Sequence, residues 1–181
     1  NDAISNSYIN GIQSVVLMCE MIKDNWGLGS RWNLETLFSG DGNYANHPHA
    51  DFYYLSLLER IYGDLAISAV SNISDILCYA TKYSASGEIA LVLVNKGATD
   101  QIVSIGSSNS VGFGSNYYSY TLTGGTETEY SPNVYINGEA PNLFQWGPYD
   151  QLFDIKAKGY SVSDQMKINS PAKSVQMILI E

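Results

Sequence analysis

The chain has 181 residues, with 9 Lys and Arg against 18 Asp and Glu, for a formal net charge of −9. A surface of that sign repels nucleic-acid phosphates and anionic lipid headgroups, so neither nucleic acid nor a membrane is expected as a partner. Hydrophobic residues make up 45%, enough for a packed core, while charged residues are only 15% against roughly 25% in typical domains.

Ser, Thr, Asn, Gly and 14 Tyr replace the missing charge. That composition suits an all-β, secreted or periplasmic, carbohydrate-active protein better than a helical cytosolic one. No run of about 18 apolar residues exists, so no membrane span is expected. The sequence opens without Met and without a basic-then-apolar leader, and is expected to start after processing or at a fragment boundary. Cys19 and Cys78 are too few for a disulfide scaffold. Both lie in apolar runs and are expected as two buried free thiols, a single bridge being the less favoured alternative.

In chain order, Tyr8, Ile9, Ile12, Val15, Val16, Cys19, Ile22 and Trp26 recur at steps of three and four, which predicts a helix over about Ser5–Asn25. Ser5 or Asn6 would cap it, and Gly27 with Gly29 would end it. Apolar residues on both faces predict a helix covered on much of its circumference. One buried strand is predicted around Leu28–Leu34, then a polar loop, then a second amphipathic helix with Phe52, Leu55, Leu58, Ile61 and Tyr62 on one face. After Asp64 the period becomes two. Strands are predicted at Ala66–Ser71, Asp75–Tyr83, Glu88–Asn95, Gln101–Ser104, Tyr117–Thr123, Asn133–Ile136, Gln151–Lys158, Met166–Ile168 and Ser174–Glu181. Turn residues punctuate them, including Ala85-Ser86-Gly87, Asn95-Lys96-Gly97, Gly124-Gly125, Asn137-Gly138 and Lys158-Gly159. Many short strands at such spacing indicate an antiparallel sandwich.

The order helix, strand, polar loop, helix, sandwich resembles the C-terminal part of a retaining TIM-barrel glycoside hydrolase, as in arabinofuranosidases, xylosidases, endoglucanases and agarases. NSYINGIQSVVLMCEMIKDNW resembles the seventh barrel helix, LGSRWNLE the eighth strand, and HPHADFYYLSLLERIYGD the eighth helix and its exit. ILCYATKYSASGEIALVLVNKG resembles the first hairpin of the following sandwich, and YYSYTLTGG, VYINGEAPN and SVQMILIE continue the match. The resemblance implies residues 1–65 as the end of a barrel and 66–181 as the sandwich. It also implies that both catalytic carboxylates lie upstream of Asn1, so no residue here is assigned a catalytic role. Two helices and one strand cannot close a barrel, so the remaining barrel is expected as a partner.

Trp32, at the presumed strand end, is read as a flat platform for a sugar ring ahead of a core tryptophan, because Asn33 and Glu35 beside it are polar. His47 and His49, with Asp41 and Asp51 nearby, invite a metal reading. Pro48 stiffens the link and no third ligand pattern follows, so a substrate-contacting loop or a helix start is favoured over zinc. Glu20, Asp24, Glu35 and Glu59 rank low as acid/base candidates, Glu35 being the least poor. Glu59-Arg60 and Gly63-Asp64 are expected to pin the entry into the sandwich, with Asp64 holding the turn. Tyr117, Tyr118, Tyr120 and Tyr130, with Tyr135 and Trp146, offer a sugar-binding face, but cross-strand packing is the stronger reading for most of them, and Trp146 is the best candidate for an exposed aromatic. Asn72-Ile73-Ser74 is a glycosylation sequon that matters only in a eukaryotic secretory host.

The sequence therefore predicts a mainly β chain with an N-terminal α part, acting on a polysaccharide or oligosaccharide as part of a glycoside hydrolase. No cofactor and no metal are expected. A stand-alone carbohydrate-binding module is the alternative, to be recognised by a planar set of exposed aromatics.

Overall fold

Helix α1, Tyr8–Lys23, begins at Ser7, whose extended backbone (φ −78°, ψ 158°) lets its side chain accept from the Asn10 N–H at 3.3 Å. The cap is thus Ser7 rather than Ser5 or Asn6. Tyr8, Gly11, Ile12, Val15 and Cys19 form the buried stripe, at the spacing a helix requires. Coverage of the helix is narrower than predicted: Leu17 is 61% exposed, and Trp26 lies beyond the helix end at 66%. The chain leaves the helix through Asp24 and through Asn25 in the left-handed region, φ 58°. The computed structural model describes residues 6–26, 37–38, 47–108, 112–141, 146–162 and 166–181. The strand predicted at Leu28–Leu34 and the helix stop at Gly27 and Gly29 lie outside them.

Helix α2 spans Ala50–Ile61 and buries Tyr53, Tyr54, Leu57, Leu58 and Ile61. Among the described residues nine strands follow: β1 Leu65–Ile67, β2 Ile76–Lys82, β3 Ile89–Asn95, β4 Gln101–Ile105, β5 Asn116–Thr123, β6 Tyr135–Ile136, β7 Lys158–Ser161, β8 Met166–Ser170 and β9 Ser174–Ile180. Every pairing recorded between these strands is antiparallel. The described chain is mainly β, with two helices on its N-terminal side.

The described residues fall into two compact units, one within Asn1–Arg60 and Thr121–Lys156, the other within Ile61–Tyr120 and Ala157–Glu181. In the second unit the strands run β1-β2-β3-β9-β5, with β7 beside β5, and β4 pairs with β8 in a separate two-stranded sheet. Side chains of both sheets meet in one core of Ile76, Leu91, Leu93, Val103, Tyr117, Met166, Ile168, Ile178 and Ile180. This is the two-layer antiparallel packing that the alternating pattern requires. Asn95 ties the layers: its amide donates to the carbonyls of Thr99 at 3.0 Å and Ser170 at 2.9 Å, and its oxygen accepts from Gly97 N–H at 2.9 Å. The entry to the sheet is held as expected. Asp64 accepts from the Ser84 N–H at 2.7 Å and from the Ser84 hydroxyl at 2.5 Å, and Gly63 N–H donates to Thr81 Oγ1 at 2.7 Å. The Ser84 bonds hold the Asp64 carboxyl below its ordinary pKa.

In the first unit, Tyr8 N–H donates to Ser131 O at 2.9 Å, and the end of β5 pairs with β6. β6 turns back through Asn137 (φ 54°) and Gly138 (φ 88°) to a bridge between Ile136 and Glu139. Positive φ at both central residues is the tight hairpin turn that Asn-Gly favours. The strand predicted over Gln151–Lys158 is not formed. Pro148 leads instead into a single 3-10 turn, Tyr149–Gln151, and a further turn to Asp154. Leu152 and Ile155 are three apart, so a helical turn buries both on one side while Phe153 is 84% exposed. Lys158-Gly159 is likewise not a turn, because Gly159 pairs with Tyr118 inside β7. Both cysteines are free thiols; Cys19 is buried as expected, whereas Cys78 is only half-buried.

Candidate functional site

The candidate residues within the described chain meet at the start of α2. Phe38 forms an antiparallel bridge with Pro48, and His49 N–H donates to Leu37 O at 2.7 Å. These contacts fix the segment that leads into the helix. His49 is 7% exposed, and its carbonyl accepts from Phe52 N–H at 3.1 Å, closing the first turn. Asp51 is buried in that first turn, where the helix dipole favours a negative charge.

Trp146 reaches the same place from the other segment of the unit. Its backbone is left-handed (φ 51°) and its carbonyl accepts from Val134 N–H at 2.6 Å, which holds the loop. Its ring lies 5.5 Å from the His49 imidazole at 43°. Gly147 comes next because nothing larger fits: a Cβ there would stand 2.4 Å from the Tyr53 ring. Phe52 extends the aromatic surface, with Phe38 at 5.0 Å, Tyr53 at 5.6 Å edge-on and Tyr149 at 6.0 Å. Tyr149 is 37% exposed and Trp146 half-buried, so the surface has a solvent-facing side.

Of the six residues singled out in the sequence, His49 and Trp146 are brought into contact, and His47 lies half-buried two residues before His49. Trp32, Asn33 and Glu35 lie outside the described residues. Trp146 is in the first unit rather than on the two-layer sheet, and packs on His49 instead of standing free. Phe38, Phe52, Tyr53 and Tyr149 were not marked by the sequence reading. Their signal was Phe52 and Tyr53 at the helix start and a Pro-Tyr pair after Trp146, which only the fold places together.

Glu20, Asp24, Glu59 and Glu127 lie apart from this cluster of rings. Glu20 pairs with Lys23 at 2.6 Å on the surface of α1, and Asp24 caps that helix. Glu59 is exposed on α2, next to Arg60, whose guanidinium donates to Leu152 O at 3.2 Å and lies 5.1 Å from the Phe153 ring centre. Glu127 accepts from Asn133 at 2.7 Å, from Tyr135 at 3.3 Å and from the Ser131 hydroxyl, which together hold its carboxyl below its ordinary pKa. Among the described residues, no three His, Cys, Asp or Glu side chains cluster as a metal site would require. None of the described helices is long and apolar enough to cross a membrane. What the arrangement offers chemically is a small aromatic cluster in which Phe52, Trp146 and Tyr149 keep some exposure over a buried His49 and Tyr53, and exposed aromatic faces suit the apolar face of a ring-shaped ligand.

No protein-family model matches the chain, and no curated protein matches it in sequence. Solved structures do match in fold. A xyloglucanase of glycoside hydrolase family 44 from Paenibacillus polymyxa is similar at TM-score 0.61 and 15% identity, over 97% of this chain and 30% of that one. A family 30 subfamily 8 xylanase from Clostridium acetobutylicum is similar at TM-score 0.58 and 15% identity, over 97% of this chain and 40% of that one. An arabinose-bound family 51 α-L-arabinofuranosidase is similar at TM-score 0.51 and 18% identity, over 72% of this chain and 19% of that one. The chain thus spans less than half the length of these enzymes, and its fold is similar to a part of theirs.

Proposed function

We propose that this chain is the C-terminal part of a polysaccharide-degrading glycoside hydrolase, secreted or periplasmic, in which residues 1–65 end a TIM barrel and residues 66–181 form an accessory sandwich. One observation supports the reading above others: nearly the whole chain matches a fraction of several glycoside hydrolases in fold. Catalysis would be the retaining reaction, in which a nucleophile and an acid/base stand about 5 Å apart across the scissile bond. Both carboxylates are assigned to the portion of the enzyme upstream of Asn1. The aromatic cluster at His49 and Trp146 would receive the C–H face of a sugar ring, with His47 at its edge and Trp32, Asn33 and Glu35 completing the substrate surface. The partner in the protein is the rest of the barrel, and the substrate is a polysaccharide or oligosaccharide.

The test compares the mass of the native particle with that of its denatured chains, together with hydrolysis of xyloglucan, arabinoxylan and an aryl arabinofuranoside. The expected result is an active particle in which this sequence is joined to a larger barrel portion, with no hydrolysis by residues 1–181 alone. A species of this chain's mass that hydrolyses glycosides unaided would overturn the assignment of the carboxylates. An intact larger particle inactive on all glycans would overturn the enzyme reading.

A further inference from the structure

Strands β5 and β7 pair so that Tyr118 stands opposite Gly159. A Cβ at Gly159 would lie 3.3 Å from Tyr118 Cε1 and 3.4 Å from its Cδ1. The tyrosine ring therefore lies against Gly159, so close that a Cβ there would press on its edge, while Tyr118 stays 36% exposed. All four residues of β7 are exposed, and among the described strands β7 pairs with β5 alone. The ring thus lies at the open margin of the sheet.

Its polar end has a neighbour as well. The nearby Glu181 carboxylate holds the Tyr118 hydroxyl above its ordinary pKa, and Glu181 accepts from Asn116 Nδ2 at 3.0 Å. Asn116 and Tyr118 are two apart on one strand and share a face. A carboxylate and an amide held beside a braced aromatic ring are what a pyranose needs. Its C–H face covers the ring, and its equatorial hydroxyls donate to the carboxylate and exchange hydrogen bonds with the amide. Glu181 and the net charge of −9 repel uronate-rich chains, so the fitting ligand is neutral.

We propose that Tyr118, Glu181 and Asn116 form a surface subsite that holds one neutral sugar ring of a polysaccharide. The proposal rests on the carbohydrate-active reading above but uses none of the residues at the start of α2. The opposite face supplies the control: Tyr160 is also exposed, but it stacks on Tyr117 at 5.0 Å and 17° and belongs to the packing of the sheet.

The experiment is affinity electrophoresis of the full chain in gels containing xyloglucan, arabinoxylan or the anionic polymer polygalacturonate. Wild type is expected to be retarded by at least one neutral polymer and not by polygalacturonate. Tyr118→Ala should weaken that affinity by about tenfold or more, and Glu181→Gln by a smaller factor, whereas Tyr160→Ala should not. Glu181→Gln keeps the ring against Gly159, so it tests the site without disturbing the strand. No retardation of wild type by either neutral polymer, or unchanged retardation of both Tyr118→Ala and Glu181→Gln, overturns the proposal. Hydrolysis by the intact enzyme without retardation would remove the subsite and leave the enzyme reading standing. Tyr118-dependent retardation of the chain without hydrolysis by the intact enzyme would do the reverse.

Discussion

Tyr54 shows how one residue constrains its neighbours. Its side chain is fully buried, and among the described residues its hydroxyl has no hydrogen-bond partner. Its ring also fixes Gly11 of α1, where a Cβ would stand 2.4 Å from Tyr54 Cδ2. Alanine in a helix interior gains about 1 kcal/mol over glycine, but a collision with an immobile ring costs more. Gly11→Ala is therefore expected to destabilise the chain by about 2 kcal/mol net in urea unfolding, and a stabilised variant would contradict this packing. The same burial acts on ionisation. Desolvation pushes Tyr53 and Tyr54 well above the ordinary tyrosine pKa, with smaller contributions from Tyr149 and Asp150 on Tyr53 and from Tyr8 on Tyr54. The unfolded chain releases these protons near pH 10 and the folded chain does not, so stability is full below that pH and falls above it. The expected loss is about 1 kcal/mol per pH unit for each tyrosine, read as denaturation midpoints that drop above pH 10. A tyrosinate titration in which every tyrosine ionises reversibly near pH 10 without unfolding would refute it.

At the scale of elements, stability rests on a few polar residues that end or join regular structure. Ser7 is buried and caps α1, so Ser7→Ala is expected to cost about 1 kcal/mol, measured by urea unfolding. Asn95 is buried at the end of β3 and serves the β3–β4 turn and β8 at once. Asn95→Ala would leave three backbone groups without that partner, and a loss of about 3 kcal/mol is expected. A loss no larger than that of the cap would mean water replaces the amide easily. Both residues are ordinary polar residues in the sequence. Ser7 was within a turn of the predicted cap, but Asn95 read only as the end of a strand and the start of an Asn-Lys-Gly turn, because its bond to Ser170 spans 75 residues.

At the scale of the molecule, the exposed margin at β1 stands out. Leu65, Ile67 and Val70 are exposed at 50%, 38% and 90%, and among the described strands β1 is the terminal strand of its sheet. An unpaired apolar edge promotes association between chains. Sedimentation of residues 1–181 is expected to show concentration-dependent self-association that Ile67→Lys suppresses. A monomer at all concentrations would show that this edge is inert.

Local order determined much of this chain. Helical spacing marked both described helices, period-two alternation marked eight of the nine described strands within a few residues, and Asn137-Gly138 marked its hairpin, because these signals live within a dozen residues. The failure at Gln151–Lys158 has the same origin: Leu152 and Ile155 fit either period, and burial decided for a turn. Only tertiary structure could set Trp146 against His49, ninety-seven positions apart in the sequence, or lay Tyr118 beside Gly159. Residue type announces that a ring will seek burial or a ligand. Which rings meet depends on pairing register and loop closure over long separations, and those belong to the folded chain alone.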